Sequence, residues 1–330
     1  MKPFGTLPDG TRVAGVTLTA GNLSAHVIGW GAALRDLRLR IDGTDRRLVL
    51  GFERLGDYVA HSPHFGATAG RYAGRIAGGT FVLDGVRHRL SLSAAGKHHV
   101  HGGFAGFGKR NWTLAEAGGD FARFTLLSRD GEEGYPGNLV ADCSYRLAPR
   151  CLRVTMEART DRPTVVNLLH HSYFNLDGEG RIDGHRLRIP AERMVEVDSE
   201  GLPTGRYMPP SPPFDFMAPR HLDPDTRYDA SYLLPDGEGM KLAAELGSSA
   251  GDLRMEVWTT EPGLHLYDGG KISVPVNGLD DIRYGPRSGL CLEPTRFSNA
   301  PNAEGFPDTV LRPGGIYRQI TEFRFEGDPR

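Results

Sequence analysis

A side chain that gives and takes protons near neutral pH, set opposite a carboxylate, is enough to catalyse proton transfers on an uncharged substrate. An imidazole titrates at about 6.5, so it can serve as general acid or general base. His171 lies in the stretch NLLHHSYFNL (167–176), where strand alternation puts His171 and Tyr173 on one face and His170 and Ser172 on the other. Glu293 closes the stretch GLCLE (289–293), with Leu290 and Leu292 directed to the opposite face, so its carboxylate meets either solvent or a pocket. In a pocket it could act as a general base.

Two further stretches concentrate polar groups. KHHVHGG (97–103) places His99 and His101 two apart, on one face if the segment is a strand, where they could ligate a metal with His170, His171 or Glu293 completing the set. His98 and His99 suit turn hydrogen bonds better, whereas His101, directly before two glycines, suits contact with a small ligand. GATAGRYAGRI (66–76) combines small residues that let a ligand approach the backbone with the donors of Arg71 and Arg75. Taken singly, each stretch has a plain structural reading: a strand histidine packs, a glutamate is solvated, an arginine decorates a turn.

The elements that would position these groups are strands. Apolar residues fall on every second position from Leu139 to Leu147 and again at Leu152, Val154 and Met156, predicting an antiparallel hairpin around Ala148-Pro149-Arg150. Phe81–Leu83 and Val86–Leu90 flank Asp84-Gly85, a pair that tolerates the positive φ of a tight hairpin turn. Similar runs occupy 16–28, 121–127, 255–259 and 316–325; the best short helix candidate is Met240–Leu246. With 44 Gly and 23 Pro punctuating these short segments, the expected fold is all-β, a large antiparallel β-sandwich. No repeat or linker divides the chain, and the proline-rich stretch 202–219 reads as a surface loop, so 1–330 is expected to be a single domain.

Composition narrows the partners. A formal charge of -2 supplies no basic stripe for nucleic acid and no polycationic face for a membrane. The opening residues lack the apolar run of a secretory signal and no later run is long enough to span a bilayer, so the expectation is a cytoplasmic protein. Cys143, Cys151 and Cys291 have no metal-ligand spacing and read as buried thiols.

In order, GRYAGRI (70–76), VHGG (100–103), HHSYFNL (170–176), Tyr228-Asp229, TTEPGLHLYDG (259–269), CLEPTRFSNAPN (291–302) and Gly305-Phe306-Pro307 through Tyr317 resemble the aldose 1-epimerase (galactose mutarotase) family. That family runs GRxANRI, LHGG, NHSYFNL, YDH, EPGxQxY, C-x-E and a closing FP…PG..Y. The resemblance implies a galactose mutarotase-like β-supersandwich, monomeric or weakly dimeric, acting on a monosaccharide with no metal and no organic cofactor. It also implies His171 as general acid, Glu293 as general base and His101 as a second histidine near the ring oxygen, with Arg75 and Asp229 binding sugar hydroxyls.

The sequence departs from the pattern around these residues. His265 stands for the Gln of EPGxQ, His170 for the Asn of NHSYFNL, Gly74 for the Asn of NRI, Ala230 for the His of YDH, and Thr295 for a Gln. Read as positions around the sugar, with His170 and His265 as substrate-binding candidates, they imply an altered pocket: a pentose, a deoxy sugar or a uronic acid is as open as galactose. Three other functions compete: a non-catalytic carbohydrate-binding or regulatory protein, a hexose-6-phosphate epimerase using Arg71, Arg75 and Arg296, and a metal-dependent histidine enzyme. Binding alone needs neither His171 nor Glu293.

Overall fold

Alternating sequence becomes antiparallel sheet in the computed structural model, which describes residues 3–93 and 96–327. Nine strands form the largest sheet, in the order Thr113–Ala117, Phe121–Ser128, Leu139–Ala148, Cys151–Thr160, Tyr317–Gly327, Leu253–Thr259, Lys241–Gly247, Arg186–Arg188 and Arg220–His221. Six more run Tyr173–Phe174, Leu290–Thr295, Gly263–Tyr267, Asp229–Leu233, Arg193–Val197 and Pro203–Met208. The first five strands, from Pro3–Thr6 to Thr44–Arg47, make a third sheet. One buried apolar cluster takes side chains from all three, among them Leu18, Val27, Met156, Phe323, Leu264 and Leu292. Each sheet thus turns one side inward, and the molecule is an all-β sandwich.

The two expected hairpins form as read. Leu139–Ala148 and Cys151–Thr160 pair in unbroken register, and Thr80–Leu83 pairs with Val86–Arg89 around Asp84 and Gly85, both at positive φ (49° and 78°). The 16–28 run divides into Arg12–Ala20 and Leu23–Ile28, and the 202–219 stretch contributes the edge strand Pro203–Met208 besides its loop. Cys143 and Cys291 are buried, whereas Cys151 is half-exposed.

The helix expected at Met240–Leu246 is instead the strand Lys241–Gly247. Its register shifts between Leu242 and Ala244, so two residues oppose one on the neighbouring strand and both Ala243 and Ala244 are buried. Such a bulge interrupts the two-residue period and leaves apolar spacing that imitates a helical face. Among the described residues the only α-helix is Leu55–His61, and no helix is long and apolar enough to cross a membrane.

Arg71 is a second correction. Instead of offering its guanidinium to a ligand, it is 1 % exposed and donates to the carbonyls of Ser128, Pro136 and Gly137 at 2.9–3.3 Å, with the ring of Tyr135 beside it. Burial draws its pKa down to about 10. The arginine cluster wanted by the hexose-6-phosphate reading therefore lacks this member.

Candidate active site

The pocket is built on one face of the six-stranded sheet, and its residues follow from strand alternation. In Leu290–Thr295, Leu290 and Leu292 enter the core while Glu293 and Thr295 line the opposite face. In Gly263–Tyr267, Leu264 and Leu266 go inward and His265 and Tyr267 outward; in Asp229–Leu233, Ala230 and Tyr232 go inward and Asp229 and Ser231 outward. Registers Glu293↔His265 and His265↔Ser231 lay these three side chains in one row, with Tyr267 and Asp229 opposed in the next. The walls come from elsewhere: Leu169 and His171 from the strand Leu169–His171, Arg75 at the start of Arg75–Ala77, and His101 just beyond His98–Val100.

His171 and Glu293 meet here. His171 Nδ1 lies 2.9 Å from Glu293 Oε1, and the side chains are 7 % and 2 % exposed. The approach is a charge contact and not a well-aimed hydrogen bond, since Oε1 is left without a hydrogen-bond partner. A buried carboxylate oxygen with an unfilled acceptor position can accept a substrate proton. The His171 ring is fixed by stacking on Tyr173 at 5.1 Å and 19° on one hand and His64 at 5.6 Å and 13° on the other.

His101 adds a neutral donor. The backbone N–H of Gly74 donates to His101 Nδ1 at 3.3 Å, which leaves the ring proton on Nε2. Burial, reinforced by the charges of neighbouring histidines and Arg75, holds its pKa well below the usual value and keeps it uncharged. The two glycines after it serve close packing: a Cβ on Gly102, which has φ +85°, would fall 1.7 Å from the carbonyl oxygen of Gly70. At Gly74 (φ +79°) a Cβ would strike Ser298 Oγ at 2.2 Å, so the pocket residue Ser298 occupies the room a larger side chain would need.

Asp229 and His265 form a second pair, with His265 Nε2 3.2 Å from Asp229 Oδ1, His265 Nδ1 2.9 Å from Ser231 Oγ, and Arg75 at 3.8 Å from Asp229 Oδ2. Burial pulls the His265 pKa down, but the Asp229 hydrogen bond and charge more than offset it, and the result lies above the ordinary imidazole value. Burial likewise opposes ionisation of Asp229, and His265 and Arg75 outweigh it, holding the carboxyl well below its usual range. The stability carried by His265 is therefore complete below the unfolded value of about 6.5 and fades as pH rises through the raised folded value; that carried by Asp229 fades only in acid. Thermal melts from about pH 6 to pH 9 should show an alkaline decline in wild type that is reduced in His265→Gln, whose amide does not titrate.

Three sequence expectations are corrected. His170 does not line the pocket: the strand turns it inward, where it contacts Ser172 Oγ at 2.7 Å and stands beside Phe323, and burial pushes its pKa down to about 3. Ala230 faces the core for the same reason, so neither departure touches a sugar. His99 and His101 do not share a face, because the strand ends at Val100 and His101 takes φ +49°; His99 is buried against Tyr135 Oη at 2.6 Å and the Ser91 carbonyl at 2.8 Å. The donors that do cluster, His171, Cys291 and Glu293, lie within 4.8 Å of one another. Burial raises the Cys291 pKa well above its ordinary value.

Sequence reading missed His64, Asn167, Ser231, Lys271 and Ser298. Ser231 was available by alternation from Asp229. Nothing periodic marks His64, which reaches His171 from a loop at φ +70°; burial and the charge of His171 push its pKa down to about 3. Asn167 accepts from Thr295 Oγ1 at 3.0 Å and donates to the Ala73 carbonyl at 3.0 Å, so the Thr295 departure is absorbed by a pocket-wall hydrogen bond.

The family profile described as aldose 1-epimerase matches residues 15–324 of this chain. The chain is 36% identical to the galactose mutarotase of Sus scrofa over 335 residues, covering 98% of this chain and 97% of that one. It is 35% identical to the aldose 1-epimerase of Escherichia coli K12 over 337 residues, with 96% of each covered. Among solved structures, an aldose epimerase homologue from C. elegans superposes with a TM-score of 0.90 at 27% identity, covering 96% of this chain and all (100%) of that one. A galactose 1-epimerase from Lactobacillus acidophilus gives 0.84, also at 27% identity and with 98% of each chain covered.

Proposed function

Since the chain belongs to the aldose 1-epimerase family and is a sugar isomerase of the mutarotase type, we propose that His171 and Glu293 are the acid and base that open and reclose a free aldose ring in this pocket. The observation that carries the assignment is their 2.9 Å contact on the pocket wall, with Glu293 Oε1 unfilled.

Glu293 takes the proton from the anomeric hydroxyl as His171 gives one to the ring oxygen. The C1–O bond to the ring oxygen breaks, and C1 becomes an aldehyde. Rotation about C1–C2 presents the other face, and reclosure runs with the roles reversed, His171 taking the hydroxyl proton and Glu293 returning one to O1. No electron is gained or lost and each group ends in its starting state. His101, uncharged and with its proton on Nε2, donates toward the ring oxygen. Arg75, Asp229 and His265 bind hydroxyls. His64 and Tyr173 keep the His171 ring in plane, which matters because proton transfer requires heavy atoms at hydrogen-bond distance.

The same reading makes the chain a single cytoplasmic domain, monomeric or weakly dimeric, that acts on a monosaccharide and uses only its own side chains. The test is enzyme dialysed against a strong chelator and supplied with a freshly dissolved single anomer. Polarimetry is expected to show equilibration faster than buffer and unchanged by the dialysis; a rate restored only by added divalent metal would overturn the proton-transfer assignment.

A further inference from the structure

Cys291 is a buried thiol with no part in the proton transfers above, yet it lies beside both groups that make them. It precedes Glu293 by two residues on the strand Leu290–Thr295, so alternation sends both side chains to the same side. Its cross-strand neighbour is Tyr173, the ring on which His171 stacks. Cys291 Sγ stands 3.6 Å from His171 Nδ1 in hydrogen-bonding geometry. Glu293 Oε1 is nearer the same nitrogen, at 2.9 Å, but lies off the direction of an N–H there and has no hydrogen-bond partner. The other nitrogen, Nε2, makes no hydrogen bond among the described residues, and His171 lines the pocket.

We propose that Cys291 is a positioning residue, whose sulfur accepts the Nδ1–H of His171 and holds that proton in place, so that Nε2 alone exchanges protons with the sugar. The inference rests on the mutarotase reading and adds a residue to it. Which imidazole nitrogen is protonated follows from the contact the other one makes, and sulfur is a weak but sufficient acceptor. A bare Nδ1 would set its lone pair against the Glu293 oxygen, so the proton belongs on Nδ1. As general acid, His171 is an imidazolium with a proton on each nitrogen; it gives the Nε2 proton to the ring oxygen and stays neutral with Nδ1 protonated. Glu293 then carries the O1 proton, its charge no longer attracts Nδ1–H, and sulfur is the acceptor that remains. If Nδ1 were bare at that point, the Glu293 proton could cross the 2.9 Å gap to it. The reversed roles that reclosure needs, His171 as base and Glu293 as acid, would be lost.

The experiment combines two readouts on wild type, Cys291→Ala and Cys291→Ser. Nitrogen NMR of enzyme with labelled histidine rings, the His171 signals assigned by their loss in His171→Ala, reports which nitrogen is protonated once the ring is neutral. Exchange NMR of D-glucose and D-galactose gives kcat and KM. Wild type is expected to hold the proton on Nδ1. Cys291→Ala should shift it toward Nε2 and lower kcat about three- to tenfold with KM unchanged, the worth of one buried hydrogen bond. Cys291→Ser, with an acceptor oxygen on a shorter bond, should recover part of both. A wild-type ring protonated on Nε2 would overturn the proposal without recourse to any variant. So would a Cys291→Ala enzyme with wild-type kcat, or a serine variant no better than alanine in either readout, which would make the sulfur mere packing. Failure of the mutarotase reading looks different: wild type would exchange no sugar faster than buffer, while the proton would still leave Nδ1 in Cys291→Ala.

Discussion

Glu293→Gln is expected to slow anomer interconversion by about 10²–10⁴-fold, the usual worth of one correctly placed proton acceptor, with KM little changed. The amide is nearly isosteric, and the strand that carries it is anchored by Leu290 and Leu292 in the core, so the pocket keeps its shape. What is lost is the ability to accept the O1 proton. Some catalysis should survive, because His171 and His101 still polarise the ring oxygen. The same substitution should move the thermal midpoint little, because loss of the charge contact with His171 is offset by removal of a buried, desolvated carboxylate. A slow but fully folded enzyme is therefore the expected result, read by polarimetry for the rate and by melting for the fold. A melting point several degrees lower would mean that Glu293 is structural.

His171→Ala should cost about as much, again roughly 10²–10⁴-fold, by removing the donor to the ring oxygen. Here some loss of stability is expected too, since the alanine vacates the space between His64 and Tyr173 and ends both stacking contacts. The informative variant is the double one. If acid and base act in one concerted exchange, His171→Ala with Glu293→Gln should be about as slow as the slower single variant, because groups that work as a unit are far from additive. Losses that multiply would assign the two residues to separate steps.

Much of this site follows from a period of two. Alternation in GLCLEPT, GLHLY and DASYL already separates Leu290, Leu292, Leu264, Leu266 and Ala230 from Glu293, His265, Asp229 and Ser231, and the sheet pairs those strands so that the polar set shares one face. The same period, applied to LHH, turns His170 inward and His171 outward, so treating both as pocket residues went against the pattern. What alternation cannot supply is the partner strand or the behaviour of irregular backbone. His101 leaves the strand at positive φ, so its spacing from His99 says nothing about a shared face. His64 and Lys271 arrive from loops, where a side chain's direction depends on backbone angles set by distant packing. The bulge near Ala243 misled in the other direction, since one extra residue is enough to give a strand the spacing of a helix. Arg71 shows the last kind of difficulty: a glycine-rich stretch with two arginines gives no sign that one faces carbonyl oxygens inside the fold while the other faces the pocket.

The most direct test of the acid and base pair is polarimetry of freshly dissolved single anomers of glucose, galactose and xylose and of D-glucuronate, with wild type beside Glu293→Gln and His171→Ala at equal concentration. Wild type is predicted to equilibrate at least one sugar far faster than buffer, while both folded variants stay within about 10²–10⁴-fold below it. Variants that keep the wild-type rate, or a wild type no faster than buffer on every sugar, would contradict the account.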